Sequence, residues 1–160
     1  MVNFSFTKFN KMKKESIKFY NDISKIKCPY FQNEKIVFNN KGMKHLKFKS
    51  WNKTRSIKDQ YMRLKLLKYA PEIIKKSHTL QELCEKKSFE RIQINSRWEQ
   101  RMLGITYYGF VAIIDEVRIK VIIKETEGGK KYFWSIIPCW KQDKPVLDKK
   151  ILHEGDLEKD

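Results

Sequence analysis

A chain of 160 residues with 35 Lys and Arg against 19 Asp and Glu, a formal charge of +16, is 41% apolar and 13% aromatic. That is material for one hydrophobic core, which excludes wholesale disorder, in a length too short for two domains. A charge of this size looks for a partner dense in negative charge, and nucleic acid is the commonest one. Genomic bias toward Lys, Asn and Ile would exchange Arg for Lys without opening a gap between bases and acids.

The charge is unevenly spread. Residues 1–87 hold 22 basic and 7 acidic side chains, whereas residues 88–160 hold 13 and 12. Between Glu34 and Asp59 there is no acid, while Lys35, Lys41, Lys44, Lys47, Lys49, Lys53, Arg55 and Lys58 accumulate. Residues 1–150 read as a single basic domain, with a first helix over 8–27 and a core over 30–140. Residues 151–160, with Glu154, Asp156, Glu158 and Asp160, read as an acidic, flexible tail. Cys28, Cys84 and Cys139 are odd in number and widely spaced, which disfavours both a disulfide framework and a zinc site. The N-terminus is polar and basic, without the apolar run of a signal peptide or membrane span, and a cytoplasmic location is expected.

In chain order, Phe9, Met12, Ser16, Phe19, Tyr20, Ile23 and Ile26 recur at helical spacing, and Cys28-Pro29 ends that helix. Lys35–Phe38 reads as a short strand closed by the turn-type cluster Asn39-Asn40-Lys41-Gly42, after which Gly42–Lys49 forms a short helix. Ser56 is placed to cap a helix along one face of which lie Ile57, Tyr61, Leu64, Leu67 and Lys68, with Asp59 near its positive end. Pro71 starts a further turn through Ile73 and Ile74. From about Phe89 the pattern becomes β: Gly109–Ile114, a two-residue turn at Asp115-Glu116, Val117–Glu125, a turn at Gly128-Gly129, and Tyr132–Ile137. The expected class is α+β, with N-terminal helices packed on a C-terminal antiparallel meander.

Few residues can carry chemistry. Of three histidines, His78 ends a helix and His153 falls in the tail, while His45 follows a strand inside the basic stretch. A lone histidine is usually structural. Among lysines it can also act as acid and base on a ribose hydroxyl and its phosphate. Period two puts Val117, Ile119, Val121 and Ile123 on the core side of their strand and Arg118, Lys120 and Lys124 on the other, as a solvated face or a track for phosphate. Ser135 interrupts an aromatic and apolar strand, where it bonds to backbone or to a phosphate oxygen, and Trp134 is either core or a stacking surface for bases. No metal or cofactor motif is present, so cleavage of nucleic acid would draw on the ribose 2′-hydroxyl as nucleophile, favouring RNA over DNA.

The order of these motifs (a strand, Lys41-Gly42-Met43-Lys44-His45-Leu46, a helical stretch from Arg63-Leu64, Val117–Ile123, Gly128-Gly129-Lys130 and Phe133-Trp134-Ser135-Ile136-Ile137-Pro138) resembles the phage-associated branch of the barnase–EndoU–colicin–RelE-like nuclease superfamily. The resemblance spans about residues 30–140. It implies a metal-independent endoribonuclease that leaves a 2′,3′-cyclic phosphate, as a toxin, a phage-defence effector or a mobile-element protein, with RNA as substrate and a cognate antitoxin or immunity protein as partner. It further implies that His45 is the acid–base residue, that Arg118 and Lys120 stabilise phosphate charge, and that Ser135 bonds the scissile phosphate. Lys120, Arg55 and Tyr107 are the candidates to partner His45. Lys41, Lys44, Lys47, Lys49, Arg55 and Lys124 are expected to hold RNA. The competing readings are a non-catalytic nucleic-acid-binding or inhibitor module on the same basic face, and an interaction protein whose lysines meet an acidic protein.

Overall fold

The computed structural model describes residues 5–50 and 53–138; Cys139, His153 and the acidic residues 151–160 lie outside them. Four helices precede a four-stranded antiparallel sheet of order β5-β6-β7-β8, the α+β arrangement expected. Helix α1 (Phe6–Asp22) is followed by β1 (Ile26–Cys28) and β2 (Glu34–Ile36), a small antiparallel pair joined through a 3-10 turn at Pro29–Phe31. The first helix therefore stops short of residue 27, because Ile26, Lys27 and Cys28 are taken up by pairing with Ile36, Lys35 and Glu34.

Helix α2 (Asn40–Lys47) starts inside the stretch expected to be a turn. The Asn39 side chain accepts hydrogen bonds from the backbone N–H of Lys41 and Gly42, so the Asn-rich cluster is a helix cap. After β3 (Phe48–Ser50) and β4 (Lys53–Thr54), Ser56 caps α3 (Ile57–Leu66) as expected. Leu64 and Leu67 are buried with Tyr61 packed against the core, as the apolar face of α3 predicts, but Ile57 is exposed and Gln60, Arg63 and Leu66 are buried as well. Pro71 lies in the first turn of α4 (Ala70–Lys76).

The sheet begins earlier than Phe89. Strand β5 (Glu82–Ile94) and β6 (Arg97–Ile114) form a long hairpin through Asn95 and Ser96, both at positive φ, and β7 (Val117–Thr126) returns through Asp115 and Glu116, also at positive φ. These are the two-residue turns whose twist suits a hairpin. Strand β8 (Tyr132–Pro138) forms one edge after a loop in which Gly128 takes φ +76°.

One face of the sheet carries Phe110, Ile119, Val121, Ile123, Phe133 and Ile136 into a core completed by Tyr20, Leu46, Leu64, Leu67 and Ile74 from the helices. The other face is curled. Lys124 stands across from Tyr107, which stands across from Cys84, yet Lys124 reaches Glu90, six residues further along β5, at 3.7 Å. Six residues of flat strand span about 20 Å, so the β5–β6 arm bends back over that face. Among the described residues no helix is long and apolar enough to cross a membrane.

Candidate functional site at the curled face

The β8 edge is where the helices meet the sheet. Val37 donates its N–H to the Lys131 carbonyl at 3.2 Å and accepts from Phe133 at 2.9 Å, extending the edge by one parallel bridge. Immediately after it, α2 packs so closely that a Cβ on Gly42 would meet the Phe133 carbonyl oxygen, and the Tyr20 hydroxyl at 2.7 Å. That hydroxyl donates to the Asn39 carbonyl at 2.5 Å, tying α1 to the start of α2. One turn later, the approach seats His45 against β8.

Strand β8 carries a bulge there. Ile122 pairs with Ser135 and Ile123 with Phe133, so Trp134 is the extra residue. An extra residue lets two neighbours share one side of the strand. Trp134 belongs to the second apolar cluster with Ile105, Tyr107 and Ile122, on the curled face, and the His45 ring stacks on its indole with centroids 4.0 Å apart.

Around this stack gather side chains that proteins seldom bury: His45, Arg55, Arg63, Lys120 and Lys124 are each 6% exposed or less, and Ser135 is fully buried. Burying a charge is costly without partners. Arg55 donates from Nε to the His45 carbonyl at 2.8 Å and from Nη2 to His45 Nε2 at 2.9 Å. Asp59 is shared by two guanidiniums, Arg55 at 3.2 Å and Arg63 at 2.7 Å, and Arg63 donates from Nη1 to Ser135 Oγ at 2.6 Å. Burial would push the Asp59 carboxyl up, but hydrogen bonds and charge from Arg63 and Arg55 hold it below the usual carboxylate value. Lys120 pairs with Glu82 at 3.0 Å; Lys124 lies 4.3 Å from the Trp134 ring centroid and 5.5 Å from that of Tyr107. A guanidinium can only donate, so His45 Nε2 accepts, and the ring is the neutral form with its proton on Nδ1.

Of the residues expected at a site, His45, Arg55, Lys124 and Ser135 come together here, with Lys120 on the same sheet face paired to Glu82. Lys120 and Lys124 do not lie on a solvated face; the alternation along β7 is as expected, but the curl of the sheet encloses their side. Arg118 does not join His45. It is exposed, pairs with Ile113 next to the β6–β7 turn, and stands four residues from Ile122, about 13 Å along the strand. Of the three candidates to partner His45, Arg55 is the one that bonds its ring, while Arg118, expected to serve the same phosphate, stands apart. Tyr107, the other suggested partner, reaches Lys124 and Trp134. Lys41 and Lys44 are exposed on α2 and Lys49 on β3, with Lys41 over the Tyr132 ring at 5.7 Å. Lys47 is half-buried, and burial together with the charge of Lys13 lowers its pKa. Asp59, Glu82 and Glu90 were not anticipated as site residues. The four-residue steps Arg55, Asp59, Arg63 were a readable signal for Asp59, with Arg55 just before the cap and the other two on α3; Glu82 and Glu90 reach β7 from β5, two strands away, which leaves no local pattern.

Among the described residues no three of His, Cys, Asp and Glu cluster as a metal ion would need. No protein-family model matches the chain, nor does any curated protein or solved structure.

Proposed function

We propose that this chain is a metal-independent endoribonuclease acting at the curled face, of the kind its motifs resemble. The observation that carries the reading is the convergence of one histidine, two guanidiniums and an ammonium around the half-buried Trp134 and the buried Ser135, in a fold that is cationic over its helical half. Perturbed and buried titratable groups collect where chemistry is done. In the resting state the His45 lone pair is occupied by Arg55. A phosphodiester is a stronger acceptor for a guanidinium than an imidazole nitrogen, so the entering phosphate draws Arg55 Nη2 to itself and frees Nε2. That nitrogen then takes the proton of the ribose 2′-hydroxyl as the 2′-oxygen bonds to phosphorus. The bond from phosphorus to the 5′-oxygen breaks, and a proton returns to that oxygen, leaving 2′,3′-cyclic phosphate and 5′-hydroxyl ends. Arg55 and Lys124 offset the charge on the phosphorane, Trp134 holds the His45 ring and the Lys124 ammonium in place, and Lys41, Lys44, Lys47 and Lys49 hold the flanking strand. An antitoxin or immunity protein would cover this cationic side, in the cytoplasm.

A second reading, a nucleic-acid-binding or inhibitor module without chemistry, is favoured by the engaged lone pair of His45 and by the separation of Arg118. One assay decides. Labelled RNA incubated with the protein in EDTA yields cyclic-phosphate ends on the nuclease reading, and these ends disappear with His45→Ala. RNA that is retarded in a gel yet stays intact at every time point sinks the nuclease reading and leaves the binding module.

A further inference from the structure

We propose that two copies of this chain join edge to edge through β5, forming one continuous eight-stranded antiparallel sheet. The two edges of the sheet are treated differently. The β8 edge is covered by Val37 and α2, whereas among the described residues no strand pairs with the outer edge of β5, which is thirteen residues long. A long edge with open N–H and C=O groups is a template for another strand.

The register follows from the turn and the charges. In a two-residue hairpin the flanking residues, here Ile94 and Arg97, exchange both backbone hydrogen bonds. Even-numbered residues of β5 therefore bond inward to β6, and Leu83, Glu85, Lys87, Phe89, Arg91 and Gln93 turn theirs outward. A two-fold centred on Ser88 matches all six: Leu83 with Gln93, Glu85 with Arg91, and Lys87 with Phe89 of the second copy, each pair occurring twice. On the curled side the same register sets Lys86 opposite Glu90. Sliding by one pair either way puts Lys87 opposite Lys87 or opposite Arg91, and like charges directly opposed are unfavourable.

Two further features suit a second copy of this chain better than RNA. The arm from Glu82 to Arg101 holds five basic and four acidic side chains, nearly neutral in a chain of +16, so the repulsion between two copies is centred elsewhere. Phe89 and Met102 face each other across the hairpin and are 67% and 52% exposed. In the proposed register the two Phe89 rings lie diagonally, about 7 Å apart, and unite both apolar pairs into one band.

Sedimentation velocity of the full chain, from micromolar to hundred-micromolar concentration, tests this. Dimers are expected, and Glu85→Arg or Arg91→Glu alone weakens them about tenfold or more because each change acts twice. The combined exchange, Glu85→Arg with Arg91→Glu, restores the dimer, which a misfolded arm would not do. Lys87→Pro removes an outward N–H without touching the β6 ladder and yields monomer with an unchanged circular dichroism spectrum. A monomer at every concentration overturns the proposal, as does a dimer indifferent to Glu85→Arg and Lys87→Pro, or a charge exchange that fails to restore association.

Discussion

Arg55 grips His45 at two points, the backbone carbonyl through Nε at 2.8 Å and the ring nitrogen Nε2 through Nη2 at 2.9 Å. The ring is thereby held in one tautomer and one plane, flat against Trp134.

The first prediction follows from that grip. At neutral pH long-range nitrogen–proton correlation spectra of labelled protein should find His45 neutral with its proton on Nδ1. Arg55→Met should lose that single tautomer and destabilise the fold by about 3 kcal/mol in urea titration, because Asp59 and the His45 carbonyl lose a buried donor. A ring protonated on Nε2 in the parent protein contradicts the arrangement.

The second concerns close packing. Gly42→Ala inserts a methyl group against the Phe133 carbonyl, which is backbone and cannot yield cheaply. The expected loss is about 2–3 kcal/mol, read as a lower melting temperature, together with altered Trp fluorescence as α2 lifts His45 off Trp134. An unchanged melting temperature would mean that α2 stands further from β8.

Acid sensitivity gives the third. The Asp59 carboxyl has a depressed pKa in the folded chain, held down by Arg63 and Arg55 against the opposing effect of burial. The unfolded chain therefore binds this proton first as pH falls. The stabilisation is complete above about pH 4, the unfolded carboxylate value, and is lost as pH drops through the folded value. Asp59→Asn should flatten that acid limb and lower stability at neutral pH by about 2–3 kcal/mol. A variant whose urea midpoint falls as steeply with acid as the parent's would show that other carboxyls carry the limb.

The fourth separates two cations of one strand. If RNA is cleaved at the curled face, Lys124→Ala should slow the reaction by about 10²-fold or more, while Arg118→Ala leaves the cleavage step nearly unchanged. The reverse order, measured under single-turnover conditions, would move the site to the β6–β7 turn.

Much of the fold is legible in the residues because turns and alternation are local. Ser56 as a cap, Pro71 in a first turn, Asp115-Glu116 and the strand around Val121 all lie where their own chemistry puts them. What escapes is set by distant chain. The end of α1 is decided by pairing of Ile26 with Ile36, and the burial of Arg63 on α3 by a polar partner, Ser135, 72 residues away. The site was legible in its members, His45, Arg55, Lys124 and Ser135, and not in its pairing. Period two assigns Arg118, Lys120 and Lys124 to one side, but it does not tell the buried lysines paired with Glu82 and Glu90 of β5 from the exposed arginine beside the β6–β7 turn.

The bulge at Trp134 and Ser135 ties the cluster to the order of synthesis. His45, Arg55 and Arg63 leave the ribosome some seventy residues or more before the strand they meet. A nascent chain halted before Tyr132 carries the histidine and both guanidiniums, but has no indole to stack on and no serine oxygen to accept from Arg63. The cluster is therefore incomplete until β8 has been made, and whatever needs the stacked His45 ring and the Arg63–Ser135 bond must wait for that strand.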